Sequence, residues 1–321
     1  MKATKGVELS CDSPVFLVGC IRSGTTLLRL LLNHHPDIAF NLESEFLVTQ
    51  ISDDGVFPDI DDYCEFLRND RVFQHSRFEI KENLDYVALV NDFLDQKRTR
   101  DGKAIVGATI HHQFSKISRI WPKARYIYMF RDGRDVANSI VRMGNAGNAY
   151  DAADWWLEAE MEWERHRGTI PDGSWIELCY TQLITNPSEE LTRICDFLGV
   201  TYSDRMFDYS VNSSYGPLNP DLVGQWKKKT TREVIQKVEA KIGDKLLLRG
   251  YELSEYPRIT ISKIEKSYLY LYSKIVRFHR GIQEYGAVLV IQEFIARRLG
   301  LKGQARRLRR MMNKIDDENL K

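Results

Sequence analysis

The sequence predicts an α/β fold, a central parallel sheet flanked by helices with a helical segment appended after it, and three observations predict it. Pro14–Gly19 is a compact apolar run, and the leucine-rich stretch Thr25–Asn33 follows it across a short polar loop. Arg125–Phe130 (RYIYMF) is likewise apolar and runs directly into RDGRDVANSIVRM, whose apolar positions recur at helical spacing. Ser174–Cys179 (SWIELC) precedes Pro187–Leu198, which has proline in its first turn and Gly199 just past its end. Strands that alternate with helices are joined by crossovers, so they pair in parallel and need both faces of the sheet covered.

The elements between these follow in order. Ala104–Gly107 reads as a further strand, and Asp61–Asn69, Leu84–Lys97 and Ala152–Arg167 as helices. Trp155, Trp156 and Trp163 fall at helical spacing in the last of these, a pattern of packing rather than chemistry. With 43% hydrophobic and 28% charged residues in 321, the chain is globular, and collagen-like and low-complexity classes are excluded. We expect an α/β body over 1–254 and a basic amphipathic helical extension over 255–321, because 255–321 holds 15 Lys or Arg against 7 Asp or Glu. The whole chain is nearly neutral, with 46 basic and 45 acidic residues, so no overall field recruits nucleic acid, and nucleic acid is not an expected partner. Any membrane contact would be local and peripheral, through the basic C-terminal helices.

Cys11, Cys20, Cys64, Cys179 and Cys195 are odd in number, widely spaced and without a C-x-x-C pair, which suggests neither zinc nor a disulfide framework. The apolar run of seven from Val15 is too short for a signal or spanning helix, and no run reaches about 18 residues. A cytoplasmic, reducing location is expected. Asn212-Ser213-Ser214 matches a glycosylation acceptor, a triplet frequent by chance.

The segment Gly19-Cys-Ile-Arg-Ser-Gly24-Thr25-Thr26 lies between a strand and a helix, where backbone N–H groups and a positive helix end hold anions. Its G-x4-G spacing is that of a Walker A loop, which makes the expected sheet P-loop-like. Thr25 stands where the Walker lysine should be, and the cation has moved to Arg22. The loop suits a multiply charged 5′ anion without the usual triphosphate apparatus, so no metal requirement is expected. The plain alternative is a polar turn between two core elements. A second phosphate-competent element weighs against it. Arg131 emerges at the carboxyl edge of the sheet, where ligands of open α/β sheets bind, and Ser139 lies about two turns along the next helix. A guanidinium and a hydroxyl there suit another phosphate; alternatively Asp132 and Asp135 merely cap the helix and pair with Arg131 and Arg134.

These segments carry a resemblance. PVFLVGCIRSGTTLLRLLLNHHPDI with YIYMFRDGRDVANSIVR resembles the sulfotransferase family, which moves a sulfuryl group from 3′-phosphoadenosine 5′-phosphosulfate (PAPS) to an acceptor. ELCYTQLITNPSEELTRICDFLGV and GQWKKKTTREVIQKVEAKIGDKLLLRGYEL are similar to two further family segments, so the resemblance spans roughly Pro14 to Leu253. Arg22 in the loop and the following H-P-D-I are more similar to the branch with tyrosylprotein and bacterial-type enzymes than to the cytosolic branch.

The resemblance implies that Arg22, Ser23, Gly24, Thr25 and Thr26 hold the 5′ phosphate, and that Arg131 and Ser139 hold the 3′ phosphate. It implies Tyr180 near the adenine, and Trp226 or Lys227 in a closing segment. Glu43 falls where that branch has its general base, and a desolvated cleft would raise its pKa. The chain departs from the family pattern in two places. GATIHH has no lysine where related enzymes place one that assists the leaving group, so His111 or His112 becomes a candidate base or donor. Neighbouring residues of an extended segment face opposite ways, so one of the two should face the cleft. Asn219-Pro220-Asp221 replaces an Arg-Lys-Gly, which leaves the closing contact open.

The expected function is transfer of a sulfuryl group to a hydroxyl of a small molecule or glycan, first a carbohydrate or lipid-linked glycan and then tyrosyl or phenolic acceptors. The acceptor pocket is expected from the helical stretches 45–100 and 145–165. The alternatives are a P-loop kinase or nucleotide triphosphatase, against which the missing lysine after Gly24 counts, and a non-catalytic scaffold with the same fold.

Overall fold

The computed structural model describes residues 13–211, 213 and 215–319. Cys11 and the Asn212 and Ser214 of the glycosylation triplet lie outside the described residues. The chain divides into two compact units: residues up to Arg131 with Glu158–Val223, and Asp132–Leu157 with Gly224 onward.

The first unit is built on a five-stranded sheet of order β2-β3-β1-β4-β5, parallel throughout. Its strands are β1 (Val15–Val18), β2 (Ile38–Glu43), β3 (Ile105–Ile110), β4 (Arg125–Phe130) and β5 (Trp175–Cys179). Helix α1 (Thr25–His34) connects β1 to β2, while α2 (Ile60–Asn69), α3 (Arg71–Ser76) and α4 (Tyr86–Asp101) lie between β2 and β3. The short α5 (Ile117–Ile120) precedes β4. In the second unit α6 (Gly133–Met143) follows β4, and α7 (Ala149–Arg167) begins there and continues into the first unit. After β5 come α8 (Tyr180–Thr185) and α9 (Pro187–Leu198).

Because successive strand side chains alternate in direction, the sheet feeds two separate cores. Phe16 and Val18 of β1, with Tyr126 and Tyr128 of β4, meet α2, α4 and Trp163 on one face. Val15, Leu17, Ile127 and Met129 meet α1, α8 and α9 on the other. The aromatic residues between 45 and 100 are largely committed to the first core: Phe46, Tyr63, Phe73 and Phe93 are buried there. Trp163 stacks on Tyr128 at 4.6 Å and 1°, and Trp156 is fully buried in the second unit, whereas Trp155 is partly exposed.

In the second unit Asp132 caps α6 by accepting from the Arg134 N–H. The elements after Gly224 are α10 (Trp226–Lys229), α11 (Arg232–Leu248), α12 (Lys263–Tyr285), α13 (Ala287–Arg298) and α14 (Lys302–Asn319). Most of residues 263–319 of the basic extension read from the sequence are helical, and they fall within this unit.

The strand β2 is the one sheet element that the sequence pattern did not declare. Its apolar core is only Ile38, Ala39 and Phe40 before Asn41, shorter than a clear strand pattern.

Candidate active site

Ligands of open parallel sheets bind beyond the carboxyl ends of the strands. In the first unit each strand delivers a candidate residue there. Gly19 follows β1, Glu43 ends β2, His111 follows β3, Arg131 follows β4, and Tyr180 follows β5.

The loop after β1 is held open by backbone geometry. Gly19 (φ 143°) and Gly24 (φ 99°) have positive φ, and a Cβ on Gly19 would overlap the Met129 carbonyl. Arg22 is itself left-handed, with φ 68°, a conformation that non-glycine residues rarely adopt and that clusters at functional sites. Gly24 precedes α1, which has no side-chain cap, so the first N–H groups of the helix have no intrahelical partner. Ser23 is buried, and its Oγ has no hydrogen-bond partner among the described residues. An orphan hydroxyl beside a row of orphan N–H groups at a positive helix end fits a phosphate. Thr25 is buried and Thr26 half-buried at the same helix start.

The base candidates lie beside this loop. His111 Nδ1 is 3.0 Å from the Gly19 carbonyl, an acceptor, which makes Nδ1 the donor. Nε2 faces Glu43 Oε1 at 3.6 Å, an ion-pair distance longer than a hydrogen bond. Glu45 Oε1 accepts from the His111 backbone N–H at 3.0 Å. The register between β2 and β3 slips between Phe40 and Glu43, an irregularity of the kind that re-aims side chains near active sites. Ser44 fixes the turn that follows: its backbone N–H donates to the Thr109 carbonyl at 2.8 Å, and its Oγ accepts from Asn41 at 2.9 Å.

The expectation of a raised Glu43 pKa is corrected here. The facing His111 imidazole holds Glu43 below the usual carboxylate range, outweighing burial, with Arg29 and Arg22 adding to it. Burial alone would push His111 down, but Glu43, Glu45 and the Gly19 carbonyl more than offset it and raise its pKa. Glu43 is half-exposed and His111 buried. His112, by contrast, is exposed, so one histidine of the pair faces the loop.

Tyr180 and Arg131 stand on the other side of the phosphate loop. The ring of Tyr180 and the methyl of Met129 fill the space that a Cβ on Gly24 would need. The Arg131 guanidinium lies over that ring, 4.2 Å from its centroid, and donates to the Leu222 carbonyl at 2.6 Å. Contacts therefore run without a break from Arg131 through Tyr180 and the loop to His111 and Glu43.

The second unit contains Ser139, which is buried in α6, and a polar network around Trp226. Trp226 is buried, its Nε1–H donates to Asp132 at 3.0 Å, and its backbone N–H donates to Asp135 at 2.8 Å. Arg134 stacks on the indole at 3.6 Å and bridges Asp132 and Glu239 at 2.7 and 2.6 Å. Lys227 lies 5.5 Å from the same ring. Arg134 and Glu239 are two residues of this network that the sequence did not single out as a pair, since 105 positions separate them. Of the pairing foreseen for the helix start, Asp132 meets Arg134, whereas Asp135 accepts from the Gly224 and Trp226 N–H groups.

A family model described as the sulfotransferase family matches residues 14–204. A putative protein-tyrosine sulfotransferase of Caenorhabditis briggsae is 24% identical over 208 residues, covering 61% of this chain and 68% of its own. Protein-tyrosine sulfotransferase 1 of Homo sapiens is 24% identical over 289 residues, covering 78% and 73%. The sulfotransferase domain of the Synechococcus PCC 7002 olefin synthase shares the fold, with a TM-score of 0.55 and 19% identity over 79% of this chain and 100% of that one. The sulfotransferase domain from the curacin biosynthetic pathway does so with 0.53 and 17%, over 75% and 99%. With the family model matching more than half of its length, this chain belongs to the sulfotransferase family of enzymes.

Proposed function

We propose that the enzyme takes PAPS and transfers its sulfuryl group to an acceptor hydroxyl, with Glu43 as the general base and His111 as its cationic neighbour. The observation that carries this reading is the join between phosphate loop and base: His111 bonds the Gly19 carbonyl through one ring nitrogen and faces Glu43 with the other.

Bound PAPS would supply the sulfuryl group and a 5′-phosphate leaving group. The N–H groups from Gly24 to Thr26, with the Ser23, Thr25 and Thr26 hydroxyls, would bind that phosphate, while the Ser23 N–H donates to the Cys20 carbonyl and Arg22 would offset the charge. His111, protonated over a wider pH range than an ordinary histidine, would supply positive charge where the GATIHH segment lacks a lysine. Glu43 stays ionised and takes the hydroxyl proton. As the acceptor oxygen bonds to sulfur its proton becomes acidic, so a carboxylate held below its ordinary range can still remove it. Arg131, with Ser139, is assigned to the 3′ phosphate, Tyr180 to the adenine, and Trp226 and Lys227 to the closing segment. Those roles rest on the sequence motifs.

For the acceptor, the first reading is a carbohydrate or lipid-linked glycan, which suits an enzyme with a basic amphipathic helical segment. The names of the relatives favour a second, a tyrosyl peptide. A transfer assay from PAPS with both acceptor classes distinguishes them. In that assay Glu43→Gln should lower kcat about 10²–10⁴-fold. Because Glu43 is depressed and His111 raised, the acid limb of the pH profile should lie below that of an ordinary carboxylate and the alkaline limb above that of an ordinary histidine. His111→Asn should abolish the alkaline limb. Full activity in Glu43→Gln would remove Glu43 from the mechanism.

A further inference from the structure

The fold buries one side of helix α12, at Leu269 and Ser273, and leaves an apolar side exposed. Ser273 is fully buried; its Oγ donates to Asp151 at 2.6 Å and accepts from the Gly147 N–H at 2.8 Å. Asn148 donates to the Leu269 carbonyl at 2.7 Å, and a Cβ on Gly147 would overlap the Ser273 backbone. These contacts fix the rotation of α12 about its axis.

About half a turn around the helix, Ile264, Tyr268, Leu271, Ile275 and Phe278 recur at alternating spacings of four and three, so they form one stripe. Every member is exposed, Ile264 by 84% and Leu271 by 57%. In and just past α13, Val288, Ile291, Ile295 and Leu299, spaced by three, four and four, form a second exposed stripe, with Val288 70% exposed. Phe278 and Phe294 pack edge to face at 6.1 Å and tie the two helices together.

Charge identifies what covers this face. Within α12 five Lys or Arg stand against two Glu; Lys266, Arg277 and Arg280 share the side of Ser273, whereas Lys263 and Lys274 sit one residue from stripe members and so border the stripe. One of those glutamates, Glu265, is neutralised by Lys237 at 3.1 Å. A second copy of this chain would set like charge against like, whereas an anionic lipid surface complements it. The exposed Tyr268, Tyr270 and Tyr272 are residues of the water–lipid boundary, apolar in body and polar at the tip. No helix among the described residues is long and apolar enough to cross a membrane, so the geometry required is one of lying in the interface.

We propose that α12 and α13 form a docking face for an anionic phospholipid membrane, their apolar stripes entering the acyl boundary and the bordering Lys263 and Lys274 meeting the headgroups. The test is flotation of the full chain with phosphatidylcholine vesicles, with and without phosphatidylglycerol. Binding to the anionic vesicles should fall at least tenfold in pure phosphatidylcholine and also with raised salt. Lys274→Gln should weaken it roughly five-fold, the worth of about one basic residue at such a surface. Leu271→Asp with Ile275→Asp should abolish it, while thermal unfolding and PAPS-dependent activity in solution stay unchanged because both side chains are exposed. Equal binding to both vesicle types, no binding to either, or binding indifferent to these substitutions would overturn the proposal. So would a stable dimer in sedimentation that Leu271→Asp dissociates, since the face would then belong to a second copy.

Discussion

Alanine in place of Gly24 should destabilise the protein by about 2–5 kcal/mol, from two causes that a second variant separates. The backbone at Gly24 has φ 99°, where an L side chain adds roughly 1–2 kcal/mol of strain. The new methyl would also meet the Tyr180 ring and the Met129 methyl, and overpacking of that kind costs about 1–3 kcal/mol. Gly173 serves as the control: its φ is 81°, yet nothing lies within 4 Å of the Cβ position, so Gly173→Ala should carry only the backbone part. Urea unfolding followed by tryptophan fluorescence measures both, provided the m-values agree. Since Arg131 rests on the Tyr180 ring, moving that ring should also lower affinity for 3′-phosphoadenosine 5′-phosphate, whereas Gly173→Ala should leave it unchanged. Equal destabilisation in the two variants would refute the close approach of Tyr180 to the phosphate loop.

Two further outcomes are expected. Ser23→Ala removes a buried hydroxyl that has no partner among the described residues, so stability should hold or rise slightly, while nucleotide affinity falls roughly five- to tenfold for one lost hydrogen bond; calorimetry on the same samples reads both. His166 is buried against Tyr126, Trp163 and Phe114, and burial lowers its pKa to about 4. The folded state thus binds this proton later than the unfolded state, whose value is about 6.5, so stability is full above about 6.5 and declines as pH falls towards 4. His166→Phe should remove that part of the acid sensitivity, of the order of 3 kcal/mol, in denaturation curves at pH 4 and 7. An unchanged pH dependence would mean that His166 is not neutral in the fold.

Much of the sheet was legible because local pattern and tertiary role coincide. Arg125–Phe130 and Pro187–Leu198 form the elements that their composition, proline and glycine announce. The strand Ile38–Glu43 was not, since three apolar residues bounded by Asn41 give no period; only the need for a strand after α1 in a parallel βαβ unit could have signalled it. That omission hid the environment of Glu43. Its position beside His111 depends on the register of β2 against β3, and hence the direction of its pKa shift could not be read from residue type. Burial of Trp226 was similarly out of reach, because its hydrogen-bond partners Asp132 and Asp135 lie 94 and 91 residues away in the sequence.

The central claim is that the loop after β1 and Arg131 serve a nucleotide carrying both a 5′ and a 3′ phosphate. Calorimetric titration without magnesium, using 3′-phosphoadenosine 5′-phosphate with AMP and ATP for comparison, tests it most directly. Binding should be tight, require the 3′ phosphate and disappear in Arg131→Ala. Binding with no preference over ATP, or only in the presence of magnesium, would contradict it and favour a P-loop kinase.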